Sequence, residues 1–204
     1  MKKFGAKLIN AGSLTMAAMR FYLDPLRLSQ NHYFLAGGGG TALGTLAYVN
    51  AALELHQQIA NGDCPEPDSI YVPTGSVATL AGLTLGCAIA GIKTKVIGIQ
   101  IMDSHLGPVE ICTASVGNRL MQQALKIIQV QQPELSINLP SVILLNDWYP
   151  PGYGVHTLST DNAVALGACN GLQLDQTYSG KTFDAFTQAL SQTTKPLLYW
   201  ATYS

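Results

Sequence analysis

The chain has 204 residues, 48% of them hydrophobic and only 11% charged, against about a quarter charged in an ordinary soluble domain. A formal charge of −1 and a pI near 6.4 leave no basic footprint, which argues against nucleic acid as a ligand. The apolar excess excludes a disordered chain, and the shortage of charge leaves surface suited to a partner.

No run of roughly 18 apolar residues marks a membrane span. The basic start, Met1-Lys2-Lys3-Phe4, lacks the long apolar core of a signal peptide. Cys64, Cys87, Cys112 and Cys169 form no CxxC pair. His32, His56, His105 and His156 have no metal-ligand spacing. Reduced thiols, a cytoplasmic location and no metal site are expected.

In chain order, Lys7 to Asn10 reads as a short strand. Ser13 is the expected cap of a helix from Leu14 to about Leu23, which Asp24-Pro25 ends. His32 to Leu35 is a second strand candidate. It leads into four glycines, Gly37 to Gly40, read as a tight loop before a helix from Leu43 to Ala60. Leu46, Val49, Leu53 and Ile59 give that helix its apolar face. Ser69 to Pro73 is predicted as a strand, Thr74 to Ala78 as a turn, and Thr79 to about Ala90 as a helix stopped by Gly91. Lys95 to Ile101 is continuously apolar, as in a parallel strand buried on both faces. Pro108 to Gln132 carries a long helical period through Val116, Leu120 and Ala124. Ser141 to Leu145 is predicted as a strand. Thr160 is the expected cap of a helix reaching Cys169, and Leu172 to Leu174 reads as a strand fragment. Gly180 to Leu190 is predicted helical and Pro196 to Trp200 as the last strand. Strands alternating with helices define an α/β fold, three-layer αβα with a mostly parallel sheet.

The most informative stretch is Thr74-Gly75-Ser76-Val77-Ala78-Thr79. A strand followed by a small-residue turn and a helix exposes backbone N–H groups at the positive end of a helix dipole, which suits a phosphate. It is no P-loop, since GxxxxGK[ST] is absent. It is no dinucleotide fingerprint, since Val77 and Leu80 stand where glycines would be needed. An ordinary βα turn, with Gly75 chosen for backbone geometry, is the alternative.

Thr74-Gly75-Ser76-Val77-Ala78-Thr79-Leu80-Ala81-Gly82 resembles the phosphate loop of pyridoxal-phosphate enzymes of the tryptophan synthase β fold, fold type II. The branch is that of 1-aminocyclopropane-1-carboxylate deaminase and D-cysteine desulfhydrase. Gly38 to Glu54 is similar to that family's glycine loop and following helix. Pro151-Gly152-Tyr153-Gly154-Val155 is similar to a signature loop. Leu174 to Lys181 resembles its Asp-Pro-Val-Tyr-X-Gly-Lys segment. The resemblance implies pyridoxal 5′-phosphate as cofactor, with its phosphate held by Gly75, Ser76, Val77, Ala78 and Thr79. It implies that Ser179, which stands where the deaminases have Glu and the desulfhydrases Thr, faces the pyridine nitrogen. A hydroxyl there suits elimination, where less charge drains into the ring. Tyr178 is implied to lie beside cofactor or substrate, as the one catalytic candidate.

Lys181 matches a family lysine that is not the Schiff-base residue, so a capping or ion-pair role is expected of it. The Gly-Gly-Asn-Lys-like motif that carries the Schiff-base lysine, and the Ser-Asn loop after it, are absent from the 204 residues. The chain is thus expected to be a single domain, 1–204, equivalent to the family's larger cofactor-binding domain. Two functions follow. One is deamination or desulfhydration of a small amino acid, completed by a companion chain that supplies the N-terminal portion; the other is a non-catalytic remnant that binds a phosphate ligand or another protein. A homo-oligomer or such a companion is the expected assembly. Two stretches depart from the family pattern: His156-Thr157-Leu158 follows Val155 where an acidic cluster is usual, and Tyr199 to Ser204 replaces a His-Thr-Gly-Gly ending. His156 is expected to be a loop histidine without a special role.

Overall fold

The computed structural model describes residues 5, 9–24, 33 and 35–202. Its centre is a parallel four-stranded sheet in the order β5-β2-β1-β6. The strands are β1 (Ser69–Thr74), β2 (Lys95–Gln100), β5 (Ile143–Leu145) and β6 (Leu197–Tyr199). A small antiparallel pair, β3 (His105–Leu106) and β4 (Val109–Glu110), lies apart from it. The helices are α1 (Leu14–Leu23), α2 (Ala42–Asn61), α3 (Ala78–Ala90), α4 (Ala114–Gln131), α5 (Leu158–Cys169) and α6 (Ser179–Leu190).

Alternation along β1 builds the layers. Successive side chains of a strand point to opposite faces. Ile70 and Val72, both fully buried, join the large core with Val49, Leu80, Leu83 and Ala124 of α2, α3 and α4. Tyr71, between them, meets Phe186 of α6 on the other face, at 6.1 Å and edge-on. Phe183, Phe186 and Tyr199 complete that smaller aromatic core, with ring centroids 5.1–5.8 Å apart. The sheet is therefore covered on both faces, as the sequence predicts.

The close packing of α2 against α3 has a specific cause. A methyl group at Gly82 would lie 2.4 Å from the Thr45 carbonyl oxygen, and one at Gly86 would lie 2.5 Å from Ala52 Cβ. The two glycines, one helical turn apart, let the α2 backbone approach.

The backbone ladder fixes where the sheet opens. Ile101 N donates to Thr74 O and Trp200 N donates to Tyr71 O. Thr74 and Val72 thus turn their peptide groups to β2, and Tyr71 and Pro73 turn theirs to β6. Pairing with β6 ends at Tyr71. The missing N–H of Pro73 therefore faces a side with no ladder, which is why proline is tolerated in a central strand. Beyond Tyr71 no residue of β1 pairs on that side, which leaves a gap in the ladder. The strand order runs to β2 on one side and to β6 on the other, so this gap is a topological switch point, where α/β folds place ligands.

Several sequence expectations need correction. The helix predicted from Pro108 begins only at Ala114, with Thr113 Oγ1 accepting from Val116 N. Gly107, with φ of 58°, and Pro108 instead form the two-residue connection of the β3–β4 hairpin. Thr157, not Thr160, caps α5, since its hydroxyl accepts from Thr160 N. Leu172 to Leu174 is not a strand, and α3 starts at Ala78, not Thr79. Ser13 caps α1 as expected. Of the proposed strand at Lys7–Asn10, Lys7 and Leu8 lie outside the described residues, and Ile9 and Asn10 are not in a strand. Of the strand proposed at His32–Leu35, His32 and Phe34 lie outside the described residues, and Tyr33 and Leu35 are not in a strand.

Candidate functional site

The turn between β1 and α3 is built of buried small residues. Thr74, Gly75, Val77 and Ala78 are buried, and Ser76 and Thr79 are half-buried. The first amides of any helix lack intrahelical acceptors. At α1, α2, α4 and α5 a Ser or Thr side chain supplies one. At α3 no side chain does. The capping position is Val77, which cannot accept a hydrogen bond and adopts φ of 65°. A β-branched residue in the left-handed region is rare, and such strain costs on the order of 1–3 kcal/mol. Val77 is held there by packing. It is buried, and a methyl at Gly117 of α4 would lie 2.8 Å from its Cγ1.

Two walls close on this turn. The glycine loop is one. Gly37–Gly39 form a tight turn in which Gly38 and Gly39 are left-handed, with φ of 60° and 65°, the Ser76 hydroxyl donates to Gly38 O at 2.9 Å, and a methyl at Gly38 would stand 2.8 Å from Ser76 Cβ. The hydroxyl of Ser76 thus holds the two loops together. Tyr178, at the start of α6, is the other wall. A methyl at Gly75 would lie 3.0 Å from its hydroxyl oxygen and 3.6 Å from its Cε1. Gly75 is thus favoured by the approach of Tyr178, since it has no left-handed φ that would call for glycine. Thr79 remains as a half-buried hydroxyl with no hydrogen-bond partner among the described residues.

The start of α6 is no competing anion site, because its own carboxylate fills it. Asp175 Oδ1 accepts from the amides of Thr177 and Tyr178, both at 2.7 Å, and Oδ2 accepts from Ser179 N at 3.0 Å. Burial raises the pKa of Asp175, but the Ser179 hydroxyl and these amides outweigh it and hold the carboxyl below its usual value. Ser179 belongs to the same cap. Its hydroxyl donates to Asp175 Oδ2 at 2.6 Å and accepts from Asp175 N at 2.7 Å. A hydroxyl has one proton, so what Ser179 can still offer a ligand is a lone pair. Tyr199 supports this segment by donating to Ser179 O at 3.1 Å.

Burial first, and then the neighbouring phenol of Tyr153, push the Tyr178 pKa to about 12. Tyr178 is therefore a neutral donor at neutral pH. Tyr153 meets it edge-on, with ring centroids 6.1 Å apart. Burial also pushes Cys112 to about 12. Its thiol donates to Thr74 O at 3.4 Å, so it packs beneath the turn as a neutral side chain. Among the described residues no cluster of His, Cys, Asp or Glu could hold a metal.

Lys181 departs from expectation. It neither caps a helix nor joins an ion pair. It is 1% exposed, and its ammonium donates to Tyr149 O at 3.0 Å and Gly152 O at 2.9 Å. Burial lowers its pKa. His156 lies 2.7 Å from Asp161 at the exposed start of α5. Of the five turn residues expected to hold a phosphate, all five lie at the uncapped α3 start, and Tyr178 closes on them. Sequence reasoning assigned no role to Tyr153, Tyr149 or Cys112. Only the aromatic flanked by glycines in Gly152-Tyr153-Gly154 could have signalled the first.

An uncapped helix start at the carboxyl end of a central parallel strand, walled by a glycine loop and a neutral phenol, is the arrangement with which α/β proteins hold a phosphate group. The comparisons narrow this class. Residues 1–196 match the family model of the pyridoxal-phosphate dependent enzymes, and the chain belongs to that family. D-cysteine desulfhydrase of Salmonella paratyphi C (strain RKS4594) is 32% identical over 166 residues, covering 78% of this chain and 45% of that protein. The crystal structure of a homologue of 1-aminocyclopropane-1-carboxylate (ACC) deaminase superposes with a TM-score of 0.69 at 24% identity, over 95% of this chain and 56% of that one. The chain thus spans about half the length of these relatives. Pyridoxal phosphate is the family's cofactor, and the α/β fold with its parallel sheet is the family's fold.

Proposed function

We propose that this chain binds pyridoxal phosphate and forms the cofactor-holding domain, 1–204, of a deaminase or desulfhydrase acting on a small amino acid. One observation carries the reading: the buried start of α3 has no side-chain cap, and every residue of the turn before it leaves its amide free of a side-chain partner. A phosphate dianion supplies the missing acceptor. The donor set fits the group. Gly75, Ser76, Val77, Ala78 and Thr79 would hold the phosphate through main-chain amides, with the Thr79 hydroxyl beside them. When bound, the cofactor supplies an electron sink for a developing carbanion.

The chain's own groups fill three further roles. Tyr178 keeps its proton at neutral pH and can donate at the open side of the cradle. Ser179 brings no carboxylate to the ring nitrogen that the family resemblance assigns to it, and its hydroxyl would have to turn from Asp175 Oδ2 to donate there. Tyr178 and the glycine loop exclude water from the turn, which strengthens its hydrogen bonds.

The motif that carries the family's Schiff-base lysine is not among the 204 residues. Lys93 and Lys195 stand at the opposite, amino-terminal edge of the sheet, where Lys195 pairs with Asp68 at 2.6 Å, and Lys181 is bound to main-chain carbonyls. This favours completion by a companion polypeptide that brings the lysine. Met16, Met19 and Leu23 of α1, all more than half exposed, offer apolar surface for that companion or for a second copy of the chain. The same observation keeps the second reading, a non-catalytic remnant that holds a phosphate ligand.

Co-expression separates the two. The chain is produced with and without an N-terminal polypeptide of this family carrying the Gly-Gly-Asn-Lys-like motif, and is assayed with D-cysteine and 1-aminocyclopropane-1-carboxylate. Turnover only in the pair is expected. Pyridoxal phosphate binding without turnover in the pair would leave the remnant.

A further inference from the structure

Lys181 is an anomaly. A lysine side chain is almost never fully buried without an anionic partner, yet among the described residues the ammonium here meets only two carbonyls and lies over the Tyr149 ring, 5.9 Å from its centroid. Asp184, one turn along α6, does not serve it, because its Oδ1 accepts from Ser159 and Gln188 at 2.8 Å each. The two carbonyls belong to one turn, 149–152. The turn is tied a second time: the Tyr149 hydroxyl donates to Asp103, in the loop that follows β2. Lys181 and Asp103 thus grip the same turn from α6 and from the sheet.

What the turn delivers is Tyr153. It follows Gly152 directly and sets its ring edge-on against Tyr178. Tyr178 in turn lies on Gly75. From these contacts we infer that Lys181 is a positioning residue: through the 149–152 turn it holds Tyr153, and Tyr153 holds the Tyr178 ring over the Gly75 cradle. This rests on the reading that the cradle takes the phosphate of a ring-bearing cofactor. Lysine suits the task because it reaches two carbonyls of a tight turn from one helical position with freely rotating donors. Methionine has a similar length and no donor, so it would fill the space and release the turn.

The test uses the full chain, as parent and as Lys181→Met, with two probes and one measurement free of ligand. Inorganic phosphate needs only the α3 amides, whereas pyridoxal phosphate also needs the ring wall. The variant is expected to bind inorganic phosphate as the parent does. It should bind pyridoxal phosphate about tenfold more weakly, the scale of a lost aromatic contact. In the ligand-free chain with labelled tyrosine, Tyr178→Phe assigns the Tyr178 ring signal. Its titration near 12 in the parent should fall toward the ordinary phenol value, about 10, in Lys181→Met. An unshifted Tyr178 titration overturns the inference, as does an equal loss of both ligands. If Lys181→Met does not fold, Tyr149→Phe frees the turn from its other side and is judged by the same two readouts. A parent that binds neither ligand refutes the cradle itself, while the Tyr178 titration still decides the role of Lys181.

Discussion

Gly75→Ala, made in the parent and in Tyr178→Phe, tests whether Tyr178 roofs the cradle. In the parent the new methyl would stand 3.0 Å from the Tyr178 hydroxyl oxygen, while the ring carbons at 3.6 and 3.7 Å are at ordinary contact distance. Only the hydroxyl is in the way, and it is the mobile end of a side chain, so the clash lies at the low end of overpacking costs, about 1 kcal/mol. Gly75 has no left-handed φ, so alanine fits the backbone and gains about 0.5 kcal/mol by narrowing the unfolded ensemble. The parent should therefore lose about 0.5 kcal/mol on Gly75→Ala. In Tyr178→Phe the hydroxyl is gone, and the same substitution should stabilise by about 0.5 kcal/mol. Urea denaturation of the four proteins gives the coupling directly, expected near 1 kcal/mol. Effects of Gly75→Ala that agree within about 0.3 kcal/mol in the two backgrounds would refute the contact.

Three other outcomes follow from the same geometry. Gly82→Ala should cost about 1–3 kcal/mol in urea denaturation even though alanine favours helix, because the methyl would meet the α2 backbone 2.4 Å away. Asp175→Asn should lower stability at pH 7, and its difference from the parent should shrink as the pH falls. The folded pKa of Asp175 lies below its unfolded value, so the stabilisation is complete above the unfolded pKa, about 3.9, and is lost as pH drops through the folded one. A pH-independent difference would show that the carboxylate is not what caps α6. Thr79→Val should weaken inorganic phosphate binding by roughly tenfold, the worth of one hydrogen bond to a charged group, as read by isothermal titration calorimetry; unchanged affinity would place the hydroxyl outside the site.

Much of the fold was legible because it is locally encoded. Four helices take a Ser or Thr cap, and the continuously apolar strand at Lys95 falls in the middle of the sheet. The errors lie where local signals compete. The helical period through Val116 extends back over Gly107-Pro108, but a left-handed glycine and a following proline close a hairpin there. Thr157 and Thr160 are equally good caps on composition, and only the bond that Thr160 N donates to the Thr157 hydroxyl decides between them. The candidate site was legible as a chain segment and not as a place. That Ser76 ties down Gly38, that Asp175 fills the start of α6, and that a lysine is buried against carbonyls depend on contacts 29–38 residues apart in some cases, or on side-chain direction, neither of which spacing encodes.

The central claim is that the amides of 75–79 at the start of α3 hold a phosphate. The direct measurement is an amide-resolved NMR titration of the chain with pyridoxal phosphate and, separately, with inorganic phosphate. Saturable shifts of Gly75, Ser76, Val77, Ala78 and Thr79 by both ligands, with the Asp175-capped amides of Thr177 and Ser179 unmoved by inorganic phosphate, are the predicted result. Saturation that leaves 75–79 unmoved and shifts the start of α6 instead would contradict it.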